Sequence, residues 1–186
     1  MKKEINFERL MMASKTTPEA KKLENYPIKI VCVSATLTII SYLLGTAVFY
    51  VLSPLLGVLF LILTITNIGV SMKLRCTNCF YLGKYCNFGL GKLAAILFKK
   101  GNPEEFSNRR KVIPTAVLSF GTMLLPIVAG ILLLLIDFSI GNITLLSVYI
   151  LFGIVPNFFV RGSFCEKCMQ GQLGCPSYEQ MIKSRQ

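Results

Sequence analysis

Six of the seven cysteines fall into two copies of one spacing, C-x2-C-x6-C: Cys76, Cys79 and Cys86 in the first, Cys165, Cys168 and Cys175 in the second. Thiolates are soft ligands, and two sulfurs three positions apart sit within one turn of backbone, so each C-x2-C pair can chelate a single zinc or iron ion. A closed structural site needs four ligands. Each triplet offers three, the chain contains no histidine, and no carboxylate lies between Cys76 and Cys86. Pooling the triplets removes the shortfall: two tetrahedral metals need eight metal–sulfur bonds, and the six cysteines supply them when two sulfurs bridge.

The doubled spacing is similar to that of the fungal binuclear zinc-cluster domains, in which six cysteines share their metals. The resemblance covers those cysteines alone. Here an apolar segment of membrane length separates the triplets instead of a short loop, so DNA binding does not carry over. Zinc is therefore the expected metal, and an iron–sulfur cluster on four of the six thiols is the alternative, although the spacing follows no common ferredoxin run. Thiol–disulfide exchange comes third, because the four-helix membrane oxidoreductases that pair a C-x-x-C with a quinone keep their cysteines on the oxidising side. Handling of soft metals comes fourth, since no span carries an ionisable residue facing a path. The reading leans away from an enzyme and assigns no catalytic residue. Cys32, which belongs to neither triplet, is expected to be a small buried hydrophobe.

The elements that must hold these thiols are written in the hydropathy. With 53% apolar and 16% charged residues, the chain belongs to the multi-pass membrane class. No charge occurs from Ile30 to Met72, and 43 residues of helix would run about 64 Å, twice the roughly 30 Å of a hydrocarbon core. The run must turn once, and Ser53-Pro54 is the natural place. A second run from Val112 to Val160 turns at Asp137-Phe-Ser-Ile-Gly-Asn142. Four spans follow, near 30–52, 55–72, 114–136 and 141–160. The expected fold is all-α: four transmembrane helices in two tandem helical hairpins, an internal duplication, each followed by a C-x2-C-x6-C loop. The units are a tail over 1–26, a first repeat over 27–100, a linker over 101–111 and a second repeat over 112–186.

Net charge is +11, yet nothing besides that charge favours nucleic acid. All twenty basic residues lie before the first span, between spans two and three, or after span four. That asymmetry predicts that both termini and both triplets are cytoplasmic at the cell membrane, against an anionic inner leaflet. Thiols there are kept reduced, which favours metal binding over structural disulfides. Lys73, Arg75, Lys84, Lys92, Arg161 and Lys167 are placed to offset thiolate charge, and equally to anchor membrane edges. A membrane or cytoplasmic protein partner is the expected companion of such a face.

Smaller signals complete the reading. Asn67 and Asn157 precede their triplets by nine and eight residues and are expected to bond across helix interfaces. Thr17-Pro18 looks like a helix start, Tyr26-Pro27 marks membrane entry, and Gly89 and Gly91 mark a turn before a short apolar helix, Leu93 to Phe98. Asn102-Pro103 with Glu105 reads as a capped helix start. Pro126, between Gly121 and Gly130, predicts a kink or a close helix contact.

Overall fold

The computed structural model describes residues 23–155, 164, 167–175 and 178, apart from the side chains of residues 104, 109 and 172. Every regular element among them is helical. Helices α1 (Ile28–Leu52) and α2 (Pro54–Leu74) form a hairpin broken at Ser53, which is extended with φ −165° and ψ 134° and hands over to Pro54 as the first helical residue. Proline needs no amide donor there, so the break costs no hydrogen bond. Gly57 lets the hairpin close: a Cβ would lie 3.0 Å from Cα of Tyr50.

A 3-10 turn at Cys76–Asn78 leads through the first cysteine loop to α3 (Leu90–Leu97). Next come a 3-10 turn at Pro103–Ser107, the long α4 (Arg109–Ile136), and α5 (Ile140–Val148), which widens into a π-helical stretch at Tyr149–Ile154. A four-residue α6 (Met169–Gln172) follows Cys168. Three helices are long and apolar enough to cross a membrane, namely α1, α2 and α4; the fourth apolar helix, Ile140–Ile154, is shorter. Its expected continuation over 156–160, with Asn157, lies outside the described residues, as do Thr17-Pro18 and Cys165.

Burial is inverted relative to a water-soluble bundle. Leu135 (79% exposed), Phe138 (81%) and Ile140 (84%) face outward, while Ser34, Thr64, Asn67, Thr115 and Thr122 are buried. Lipid tails are as apolar as leucine, so helices in a membrane gain little by hiding leucine and associate through close packing and hydrogen bonds. Asn67 is the clearest case. Its amide donates to Thr122 (3.0 Å) and to the Tyr42 hydroxyl (3.4 Å), and its carbonyl accepts from Ser119 (3.2 Å) and Ser71 (3.4 Å). One side chain thereby joins α1, α2 and α4. Beside it Thr38, Ser41, Tyr42, Ser119, Thr122, Met123 and Gly153 line a cavity of about 50 Å³, room for a water molecule or two.

Helix α1 is central, packing on α2, α4, α5 and the π-helical stretch, while α2 packs on α4 and α4 on α5. Exchanging the pair α1–α2 for the pair formed by α4 and α5 with its π-helical stretch leaves this pattern of principal neighbours unchanged. Pro126 makes the close contact expected of it, since a Cβ on Gly45 would lie 3.0 Å from Pro126 Cγ, and α4 runs on through it. Gly130 likewise faces Leu146, whereas Gly121 meets nothing within 4 Å.

Three local expectations are corrected. The helix expected to start at Asn102-Pro103 does start there but is only a 3-10 turn, Pro103–Ser107, and the α-helix α4 begins later, capped by Asn108, whose side chain accepts from the Arg110 N–H at 3.1 Å. Helix α3 begins at Leu90 rather than Leu93, with Gly89 at φ 72° as its N-cap. Cys32 is exposed, not buried, because Val31 and Ser34 take the inward positions of that turn.

Candidate thiol centre

Cys76 opens the 3-10 turn and Cys79 closes it, its N–H donating to the Cys76 carbonyl at 3.2 Å. The turn is pinned from below: Thr77 and Asn78 donate to the carbonyls of Lys73 and Leu74 at the end of α2. Gly101 passes so close that a Cβ would sit 2.1 Å from Asn78 Oδ1. Cys86 is held by the start of α3, where the Gly91 N–H donates to Cys86 Sγ at 3.3 Å. A side chain at Gly91 would strike the carbonyls of Tyr81 and Lys84 at 2.3 and 2.6 Å, so only glycine lets α3 come near enough to make that bond.

The second triplet arrives through the segment just before α1. The Leu23 N–H donates to the Lys167 carbonyl at 3.1 Å, and Leu23 pairs with Cys168 in a parallel bridge. Tyr26 donates from its backbone to Tyr85 and from its hydroxyl to the Phe164 carbonyl, both at 3.1 Å. Tyr81 donates its hydroxyl to the Leu23 carbonyl at 2.6 Å. Tyr26 and Tyr81 are both buried, their rings 5.5 Å apart, and Cys79, Cys86 and Cys168 pack against the same cluster. Residues 23–26 are therefore a strap laid between the triplets.

A reciprocal contact joins the two C-x2-C turns directly. The N–H of Phe80, one residue after Cys79, donates to Gln170 Oε1 at 2.6 Å. The N–H of Met169, one residue after Cys168, donates to the Tyr81 hydroxyl at 3.1 Å. Tyr81 and Gln170 each stand two residues after the middle cysteine of their triplet, so the same position in each copy caps the same amide of the other. Such self-complementary exchange is what a two-fold relation between like surfaces produces. Gln170 is 2% exposed, and its Nε2 has no partner among the described residues.

Burial pushes the Cys79 thiol up to about 12; a hydrogen bond from the Tyr81 backbone opposes that, and negative charge on Cys76, Cys168 or Cys86 adds to it. Four thiols, Cys76, Cys79, Cys86 and Cys168, are thus electrostatic neighbours. As they stand in the described residues, no three acidic or thiol groups converge on a common metal position. Cys175 donates its N–H to the Gly171 carbonyl, and Gly174, beside it, receives the Ser107 hydroxyl from the linker turn. Burial also raises Tyr81 to about 12 and Tyr26 further still, so both phenols remain protonated donors.

The basic residues take up aromatic partners. Lys84 lies 4.0 Å from the centre of the Phe80 ring, Lys92 3.8 Å from Tyr85, and Arg75 5.0 Å from Phe106. Cation–π contact keeps positive charge beside the thiols without neutralising it. Sequence reasoning passed over Leu23, Tyr81 and Gln170. Tyr81 was legible only as the second of two aromatics after a C-x2-C pair, and Gln170 only by aligning the two triplets.

Fold and site together define an all-helical chain with three membrane-length helices and a thiol-rich face at one end of the bundle. No protein-family model, no curated protein and no solved structure matches the chain. The functional reading accordingly rests on the residues themselves.

Proposed function

We propose that this is a four-span membrane protein, built from two tandem hairpins, whose cytoplasmic cysteine triplets share one thiolate metal centre. The centre holds zinc and fixes the cytoplasmic face as a docking surface for a membrane or cytoplasmic protein. The observation that carries the reading is the reciprocal capping of Phe80 by Gln170 and of Met169 by Tyr81, which couples equivalent positions of the two triplets. The exchange-invariant packing of the hairpins supports the duplication. The Gly91 N–H aimed at Cys86 Sγ supports thiolate chemistry, because such a donor stabilises charge on sulfur.

Metal analysis of the six cysteine-to-serine variants tests the proposal. A shared two-zinc cluster requires Cys76, Cys79, Cys86, Cys165, Cys168 and Cys175 alike, with cooperative metal loss on replacing any one and little effect from Cys32→Ser. Loss of one metal with retention of a second, independent site would refute sharing. A reporter active only outside the cytoplasm tests the orientation; activity of a fusion at Gln186 would overturn it.

A second reading, an iron–sulfur cluster for electron transfer, is favoured by the nearness of Cys76, Cys86 and Cys168 to Cys79. Four thiolates suffice for such a cluster. Broad visible absorption in anaerobically purified protein, together with a silent Cys175→Ser, selects this reading; colourless protein with stoichiometric zinc rejects it.

A further inference from the structure

The short helix α3 carries an apolar face that no described residue covers. Ile96 is 81% exposed, Leu97 58% and Leu93 44%, whereas Gly91 and Ala94 on the opposite side are buried. Its depth is fixed by contacts that have nothing to do with the thiols. Ser34 donates to Asn87 Oδ1 at 2.8 Å, and a Cβ on Gly89 would lie 3.2 Å from Val31 Cγ1. Val31 and Ser34 lie one and nearly two turns inside α1, so the start of α3 is level with a point about 5–9 Å into the first membrane helix. An exposed apolar face at that level meets the border of headgroups and acyl chains.

The charges flanking the face match that border. Lys99 and Lys100 follow α3 directly, both exposed, and with Leu82 and residues 95–98 they line an open hollow of about 560 Å³. We propose that α3 lies in the leaflet beside the cysteine face as an interfacial helix, with Leu93, Ile96 and Leu97 among the acyl chains. Lys99 and Lys100 bind the headgroup of an acidic phospholipid seated over the hollow. The ligand is a lipid of the protein's own membrane, recognised by a phosphate between two ammonium groups and by apolar contact below it. This site is independent of the thiol centre and would stand if that reading fell.

The chain has no tryptophan, so a single introduced indole reports without background. The full-length Ile96→Trp protein is reconstituted in zwitterionic vesicles doped with either a brominated acidic phospholipid or a brominated zwitterionic one at equal fraction. Phe138→Trp, on the turn between α4 and α5, calibrates quenching. The expected result is blue-shifted emission quenched by bromines near the headgroup, with a preference for the acidic lipid of up to about 25-fold. Lys99→Gln with Lys100→Gln should bring that preference close to unity, since each lysine is worth roughly fivefold. Red-shifted, unquenched emission would overturn the insertion. Blue-shifted but unquenched emission would mean that protein, such as a second copy, covers the face. Equal quenching by both lipids would overturn the headgroup site.

Discussion

Replacing Gly91 with alanine adds one methyl group at a place where the backbone leaves no room for it. The new Cβ would sit 2.3 Å from the Tyr81 carbonyl oxygen, and a tolerable contact begins near 3.0 Å, so α3 must retreat by about 0.7 Å or more. Neither obstructing atom belongs to a side chain, so no rotamer change relieves the clash. The retreat stretches two bonds at once, Gly91 N–H to Cys86 Sγ at 3.3 Å and Gly83 N–H to the Gly91 carbonyl at 3.0 Å. Overpacking costs about 1–3 kcal/mol, and weakening the two bonds adds about 1. Against this stands a helix-propensity gain of about 1 kcal/mol for alanine over glycine. The net expectation is about 1–3 kcal/mol of destabilisation together with exposure of Cys86. Gly69→Ala and Gly121→Ala are the controls, because a Cβ at either meets nothing within 4 Å and both should be neutral or mildly stabilising. Denaturant unfolding of the detergent-solubilised chain, with mass-spectrometric rates of maleimide labelling at Cys86, measures both effects. A Gly91→Ala protein as stable as the controls, with Cys86 labelled at the wild-type rate, would refute the reasoning.

Asn67→Leu removes four interhelical or intrahelical hydrogen bonds; at about 0.6 kcal/mol each in a membrane the loss is about 2 kcal/mol, read by mixed-micelle unfolding. A change below about 0.5 kcal/mol would show that the amide merely fills space. Tyr81→Phe leaves the Met169 N–H and the Leu23 carbonyl without their partner, costing about 1–3 kcal/mol, and hydrogen exchange at residues 23–26 should rise; unchanged protection would detach the strap from Tyr81. In metal-free protein the Cys79 thiol, raised by burial from 9.0 to about 12, titrates later in the folded chain than in the unfolded one. Its stabilising effect is complete below pH 9.0 and disappears as pH climbs toward 12, so the metal-free melting temperature should fall over that window. A flat profile there, set against a Cys79→Ala protein, would show that Cys79 is not buried.

The breaks between helices were legible because they depend on single residues with strong backbone preferences. Ser53-Pro54 and the Asp137 turn lie within a residue or two of where proline and the Asp, Ser, Gly and Asn cluster put them. Asn67 was legible for a different reason: an amide in an apolar run must find a partner. The facing of α1 near its start was not. Positions 30–33 are all apolar, so the local pattern does not separate Val31, which points in, from Cys32, which points out. Asn102 and Asn108 offer the same capping chemistry, so the sequence alone does not say which of them starts the long helix. The strap was invisible because Leu23 contributes only its backbone, and backbone hydrogen bonds carry no residue signature.

Asn67 also sets a timetable for biogenesis. Its best partner, Thr122, is 55 residues further along the chain. At roughly 5–20 residues per second of synthesis, Asn67 is made some 3–11 s before the Thr122 hydroxyl that satisfies its amide. During that interval α2 must keep a polar group waiting at the insertion machinery or shielded by Tyr42 and Ser71, its partners from the first hairpin. Release of α1 and α2 into lipid before α4 emerges would leave that amide with only Tyr42 and Ser71 as partners. A chain truncated before α4 should stay bound to the insertion apparatus or be degraded, however apolar its two helices are.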